Sequence, residues 1–410
     1  MAYQTTTNAD SALKEFYLPT MRDQLNNAFD FLNAVGRNTE DIEGRRAVLS
    51  LHIGRSSGVG ARAETGTLPT AGYQRTAEER ITVFQQTGRI QLSVQVIKAM
   101  ASDRGSFTRA VGFETRGIVN DAKFDVGRQI FGTSDGVIAE CASETGNVIT
   151  LSATQATSTV MRQFYVNMTV DLGTVADPTA KGSALVITAV SASTPSITVT
   201  GTISGAAVTT TDRIFRSGAG GAAGGVGQKE ITGLQDIVAA SGTLHNVNPT
   251  ADPEWVSIVD GNSGVNRAAT DNIFEQNMDN VFIESGEDPD VIWTSFGVQR
   301  NYAAQLKTQK RFDSPPTKLA GGFEAPSITT PRGTIGFMVD RFCPENTAFI
   351  LNTGHLMEFV LDDWDFMDDD GAVLSRVSGV PAYEAVLLKF HEIATDKRNS
   401  HARINDLTES

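Results

Sequence analysis

Cysteine is nearly missing: Cys141 and Cys343 are the two thiols in 410 residues. That count excludes a disulfide framework and a cysteine zinc site, and no C-x-x-C pair occurs. Two reduced thiols in a protein made in the cytoplasm are expected. Long apolar runs are missing too. The longest near the centre, Ala184 to Val190, is seven residues, whereas a membrane helix needs about 20. The opening residues, MAYQTTTNAD, have neither the basic nor the apolar region of a secretory signal. Catalytic signatures are also lacking: there is no HExxH, no GxSxG and no GxxxxGK[ST]. No catalytic, cofactor-binding or metal-ligating residue is assigned, and no enzyme activity is expected.

Basic charge is in deficit. The chain has 34 Lys and Arg against 48 Asp and Glu, a formal net charge of −14. Residues 1–130 carry 16 basic and 14 acidic side chains, so the excess acid lies in the remainder. Such a chain is a poor general nucleic-acid binder, because phosphate contacts need clustered Lys and Arg. If it works near nucleic acid, it should enclose it rather than grip it. Hydrophobic residues at 40% suffice for a sizeable core.

The chain reads as a series of dissimilar segments. Residues 10–35 suggest helix broken near Pro19, with a capping box at Thr20–Asp23 and apolar Met21, Leu25, Ala28, Phe29, Leu32 and Val35 at helical spacing, stopped at Gly36. Residues 46–53 read as a strand, and 80–97 alternate as a half-buried strand pair would. Between them lie 26 residues with five glycines and almost no large apolar side chain. This stretch cannot build its own core. Thirteen residues out and thirteen back reach at most about 43 Å. A two-stranded arm is marginal in water, so something else must cover it or it stays loose.

Residues 106–131 read as one long helix, about 39 Å at 1.5 Å per residue. Val111, Ile118, Ala122, Val126 and Ile130 form its apolar stripe; Arg109, Glu114, Arg116, Asp121, Lys123, Asp125 and Arg128 are expected on the solvated faces. Residues 133–216 then turn rich in Thr, Ser, Val and Ala, in short alternating runs that suggest a small all-β module. Beyond 229 the texture is mixed. Helix is expected over 265–283 and up to Leu306, and strands at 291–295, 334–341, 347–352 and 383–393.

Three motifs invite chemistry. Gly58-Val59-Gly60-Ala61-Arg62-Ala63 imitates a dinucleotide fingerprint, but ETGTLPTAG follows where a helix should start, so a turn is expected. The acidic run 362–370 before Gly371 fails as an EF-hand loop, since Phe366 and Val377 occupy the first and last ligand positions. A solvated acidic loop is expected there; a nonstandard divalent site stays open. His391, in AVLLKFHEI, is expected to be a packed or edge residue rather than a base.

The order of elements resembles the major capsid proteins of tailed bacteriophages, the Hong Kong 97-type fold. The stretch GARAETGTLPTAGYQRTAEERITVFQQTGRIQLSVQVIKAM with helix 106–131 resembles that family's extended loop running into its spine helix. MVDRFCPENTAFILNTGHLMEF resembles the strand region that returns toward the peripheral domain. The resemblance implies an α+β fold in seven parts: an N-terminal arm (1–45), the extended loop (46–98), the spine helix (99–132), an inserted β-domain (133–217), a return to the peripheral domain and linker (218–264), an axial domain (265–375), and a closing peripheral strand with the C-terminus (376–410). It implies self-assembly into hexamers and pentamers of an icosahedral head that encloses double-stranded DNA, in a virion assembled in the host cytoplasm. Arg62, Glu64, Arg75, Glu78, Glu79 and Arg80 become candidates for contacts between subunits. Residues 54–97 contain no lysine, so the loop-lysine cross-link of some family members is not expected. About 45 residues precede the first strand, too few for a built-in scaffold, so a separate scaffolding protein, or none, is expected. Portal and decoration proteins are further implied partners. An encapsulin-like compartment shell, or another virion protein, is the alternative.

Overall fold

The computed structural model describes residues 30–42, 44, 46–95, 104–205, 207–221, 227–309, 317–318, 324–325, 327–330, 333–368 and 375–409. Most of the expected N-terminal helix, including the Thr20–Asp23 capping box, lies outside them. Within them Asp30–Ala34 is helical, and Phe31 packs edge-on against Phe131 and Trp293. Gly36 does more than stop that helix. Gly36–Asn38 runs parallel to Leu356–Phe366.

The body is organised by the strand Ala382–Thr395. It pairs antiparallel with Leu356–Phe366 and Ser375–Arg376 on one side and with Phe84–Ser93 on the other. The helix Arg104–Ile130 lies against Phe84–Ser93. Its buried residues include Val119, Val126 and Ile130, which join Leu387, Ile393 and Trp364 in one core. Gly127 has a packing reason to interrupt the helix: a Cβ there would sit 2.4 Å from the Phe342 ring. The close approach offsets the roughly 1 kcal/mol helix penalty of glycine.

A second, mixed sheet has the order Ile258–Asp260, Ala402–Ile404, Ala348–Leu351, Val291–Thr294, Gly333–Val339, Ser327–Thr330. Helices Asp271–Ser285 and Phe296–Gln309 supply Phe274, Met278, Val298 and Tyr302 to its core, where Phe274 and Tyr302 both pack on Phe337. Between the long helix and this unit the chain makes a closed six-stranded barrel: Arg213–Arg216, Val137–Thr145, Val148–Leu151, Ser196–Thr200, Gly182–Ser191 and Thr169–Gly173. Closure leaves no edge strand. Ile149, Val170, Leu172, Ile187 and Ile197 fill the barrel's separate core.

Four expectations need correction. The alternating stretch 80–97 is not one strand pair: Arg75–Thr82 pairs with Arg46–Gly54, whereas Phe84–Ser93 pairs with Ala382–Thr395. The chain changes sheets at Val83. The acidic run is not a loop from its start, because 362–366 complete the strand Leu356–Phe366. Trp364 turns inward, while Asp363 meets Arg37 at 3.0 Å and Lys389 at 3.7 Å, so its charge is neutralised. Residues 265–375 do not form one unit. Leu356–Phe366 belongs to the first sheet, and the second takes Ala402–Ile404 from the C-terminal stretch. Such three-residue strands carry too little periodicity to read. Finally, Arg128 is not on a solvated face. It is buried, bound to both carboxyl oxygens of Glu230 and to Asp125 at 3.2 Å.

Burial alone would lower the Arg128 pKa, but Glu230 and Asp125 raise it above the usual arginine range, so the guanidinium stays charged. Arg128→Ala would strand Glu230 in the interior. We expect a loss of about 3–5 kcal/mol, read as a lowered denaturant midpoint, with much of it recovered in Arg128→Met with Glu230→Leu. An unchanged midpoint in Arg128→Ala would contradict the assignment.

Candidate assembly surface

The hairpin Arg46–Gly54 and Arg75–Thr82 carries the connecting residues 55–74, which have no regular secondary structure and are mostly exposed. Three large side chains on it lack cover: Val59 is 87% exposed, Leu68 82% and Tyr73 81%. Glycine-rich sequence without apolar alternation explains why no core forms here. The Gly58–Ala63 stretch lies in this loop, with no helix after it.

The six candidate residues fall into three groups. Arg62 and Glu64 are on the exposed loop; the Arg62 guanidinium is partly used by its own chain, donating to the carbonyls of Thr67 and Ala61 at 2.9 Å each. Arg75, Glu78 and Arg80 are exposed near the root. Arg75 pairs with Asp252 and donates to the Ala251 carbonyl at 2.9 Å, while Arg80 pairs with Glu78 at 2.8 Å. That hydrogen bond, with the charge of Arg80, holds Glu78 below its ordinary value. Glu79 is a correction. It is buried within its own chain, because it shares a strand face with Ile81 and that face meets the body sheet.

Several other titratable groups among the described residues are buried. On the central strand, Lys389 and His391 each contact Glu358 at 2.8 Å, all three buried. Burial works against the Glu358 carboxylate, yet the His391 hydrogen bond and the Lys389 charge lower it to about 2. Burial and then the Lys389 charge push His391 down, so a neutral ring donates from Nδ1. Fully enclosed, His391 cannot reach a substrate. Cys141 and Cys343 are buried free thiols, and burial pushes Cys141 up to about 12. Among the described residues no group of three or more His, Cys, Asp or Glu is placed to hold a metal.

One contributor escaped sequence reasoning. Arg398 is buried and donates to five backbone carbonyls, those of Asp236, Ile237, Ser241, Gly242 and Trp255. It pins the segment that presents Asp252 to Arg75. Nothing local in the sequence separates it from a surface arginine.

Lowering pH should weaken the body sheet through Glu358. Its folded pKa is depressed, so its stabilisation is present above about 4.5 and is lost as pH falls toward about 2. Denaturant midpoints between pH 7 and 2.5 should show a steep acid limb in the wild type and a shallower one in Glu358→Gln. Parallel limbs would contradict it.

Comparison with known proteins gives three findings. Residues 197–373 match a family model described as SU10 major capsid protein. No curated protein sequence matches the chain. Among solved structures, the capsid asymmetric unit of cyanophage A-1(L) superposes with a TM-score of 0.56 at 14% identity, over 95% of this chain and 93% of that one. The capsid of the Myoviridae phage XM1 gives 0.44 at 9% identity, over 93% and 92%. The chain therefore shares its fold with the cyanophage capsid protein, and its residues 197–373 resemble the SU10 major capsid protein family.

Proposed function

We propose that copies of this chain close into the icosahedral head around double-stranded DNA by laying each arm on a neighbouring copy. The observation that carries this reading is the coreless loop 55–74, with Val59, Leu68 and Tyr73 left in solvent. Covering a side chain of that size is worth about 1.5–3 kcal/mol, and the missing partner is supplied in trans. Arg62 and Glu64 flank those side chains and pair across the contact, with Arg75, Glu78 and Arg80 at its edge. Exposed pairs add only about 0–1 kcal/mol each. They set register more than affinity.

The unit built on the second sheet is axial, gathering hexamers and pentamers. The first sheet and the long helix are peripheral, and the barrel is an insertion facing outward or toward neighbours. The net charge of −14 keeps the enclosed genome off the wall. The role is structural rather than catalytic. Assembly in the host cytoplasm, with a separate scaffolding protein or none, and attachment to portal and decoration proteins complete the reading.

The test is electron microscopy of full-length protein after size-exclusion chromatography, beside a variant in which residues 56–73 are replaced by a short Gly-Ser turn. Wild type should give closed shells or capsomer rings, while the variant stays unassembled with an unchanged circular-dichroism spectrum. A variant that assembles as well as wild type would sink the arm's role. Shells that enclose a protein cargo and no nucleic acid would favour a compartment over a virus head.

A further inference from the structure

The root of the arm encloses a carboxyl. Glu79 lies on Arg75–Thr82 opposite Leu49, and 0% of it is exposed. Glu78 and Arg80, on either side, point outward and pair with each other. Ile81, two residues on and on the same face, packs with Ala47, Phe359 and Ala394. Glu79 therefore enters the seam between arm and body. Among the described residues no group donates a hydrogen bond to either of its oxygens.

The charges acting on it come from the central strand and the residue just after it. Glu392 and Asp396 are both acids. The turn at 244–247 closes another side of the arm's root, where the His245 carbonyl accepts from the Arg80 amide at 2.8 Å. The His245 ring is also buried, with Nε2 unpartnered, and burial pushes it down to about 4. It offers no positive charge at neutral pH. Arg398, the nearby cation, is committed to backbone carbonyls. An ionised Glu79 would have neither a donor nor a counter-charge, the costliest way to bury a carboxylate.

We propose that an uncharged Glu79 latches the arm to the body, and that loss of its proton unlatches the arm. Burial first, then the charges of Asp396 and Glu392, push this carboxyl well above its ordinary 4.5. Burial likewise pushes Glu392 up to about 8. The sign follows from linkage. Above about 4.5 a lifted arm gives up a proton that the docked arm keeps. Docking is strongest below that value and weakens about tenfold per pH unit for each such carboxyl, until the docked value is passed. In a shell, the latch would make handing the arm to a neighbour a proton-dependent step. That consequence rests on the function proposed above; the latch itself does not.

Amide hydrogen exchange on full-length protein between pH 5 and 9, corrected for the intrinsic pH dependence of exchange, tests the latch. Protection of 46–54 and 75–82 should fall as pH rises in the wild type. In Glu79→Gln, which keeps the shape and cannot ionise, the fall should be shallower by up to tenfold per unit. Carbon-13 carboxyl titration of the unsubstituted chain reads the same group without a variant, and Glu79 should titrate well above the usual carboxylate range. Equal slopes in the two proteins, or a Glu79 that titrates near 4.5, would overturn the proposal. Neither readout requires assembly, so a failed shell reading would leave the result interpretable.

Discussion

Pairing along both edges of Ala382–Thr395 is the constraint on which the rest of the body depends. Its 14 residues are bordered by Phe84–Ser93 on one side and by Leu356–Phe366 with Ser375–Arg376 on the other. Toward its C-terminal end the faces of this strand are covered as well. Lys389, His391 and Glu392 are all buried, and each needs a partner brought from elsewhere. Glu358 arrives from the adjacent strand, and the Thr232 amide donates to Glu392 at 2.7 Å. The order of the sheet and the placement of the 230s segment are thus tied to the same few buried polar groups. Burying them without those partners would cost several kcal/mol each.

What could be read from the sequence follows from signal length. The helix Arg104–Ile130 was legible because its apolar positions repeat over several turns, and the barrel because short alternating runs recur between turns. Leu356–Phe366 was not, since three acids in its second half outweigh Trp364 and Phe366 in any composition-based reading. Ile258–Asp260 and Ala402–Ile404, at three residues each, have no period to detect. Glu79 is different, because the signal was present. Ile81 lies at i+2, and the alternation that turns Ile81 inward turns Glu79 inward as well. Its charge made the surface the natural expectation, and only tertiary contact with the body sheet reverses it. Arg62 and Glu64 lie in a stretch without apolar residues at strand spacing and are exposed.

The barrel shows how a chain can carry an extra module at little cost to its host. Its core is a cluster separate from that of the body. Its attachments are few and polar. Arg216 reaches Asp125 on the long helix at 3.0 Å, and Glu345 accepts from the Ser158 hydroxyl at 2.7 Å and the Thr159 amide at 3.0 Å. Asp125 is shared, because it also contacts Arg128, whose main partner is Glu230 just beyond the barrel's return. One carboxylate therefore ties together the helix, the last barrel strand and the segment that resumes the body. Burial works against its charge, but Arg128 and Arg216 hold it below the usual carboxylate range. The insertion keeps a core apart from the host's and meets the host through an ion pair and hydrogen bonds.

The arm has the opposite arrangement, and the contrast explains its suitability for assembly. Its root is fastened by buried apolar contacts and encloses Glu79, whereas its distal loop has no core. A loop that packed on its own chain would have to break those contacts before meeting a neighbour, and that cost would be subtracted from every interface. Left uncovered, Leu68 and Tyr73 keep their burial energy for the proposed contact between copies. Per copy the gain is a few kcal/mol, small enough that a misplaced subunit can leave. In the proposed shell, where each copy would give one arm and receive another, the same modest contact would be repeated around a closed surface.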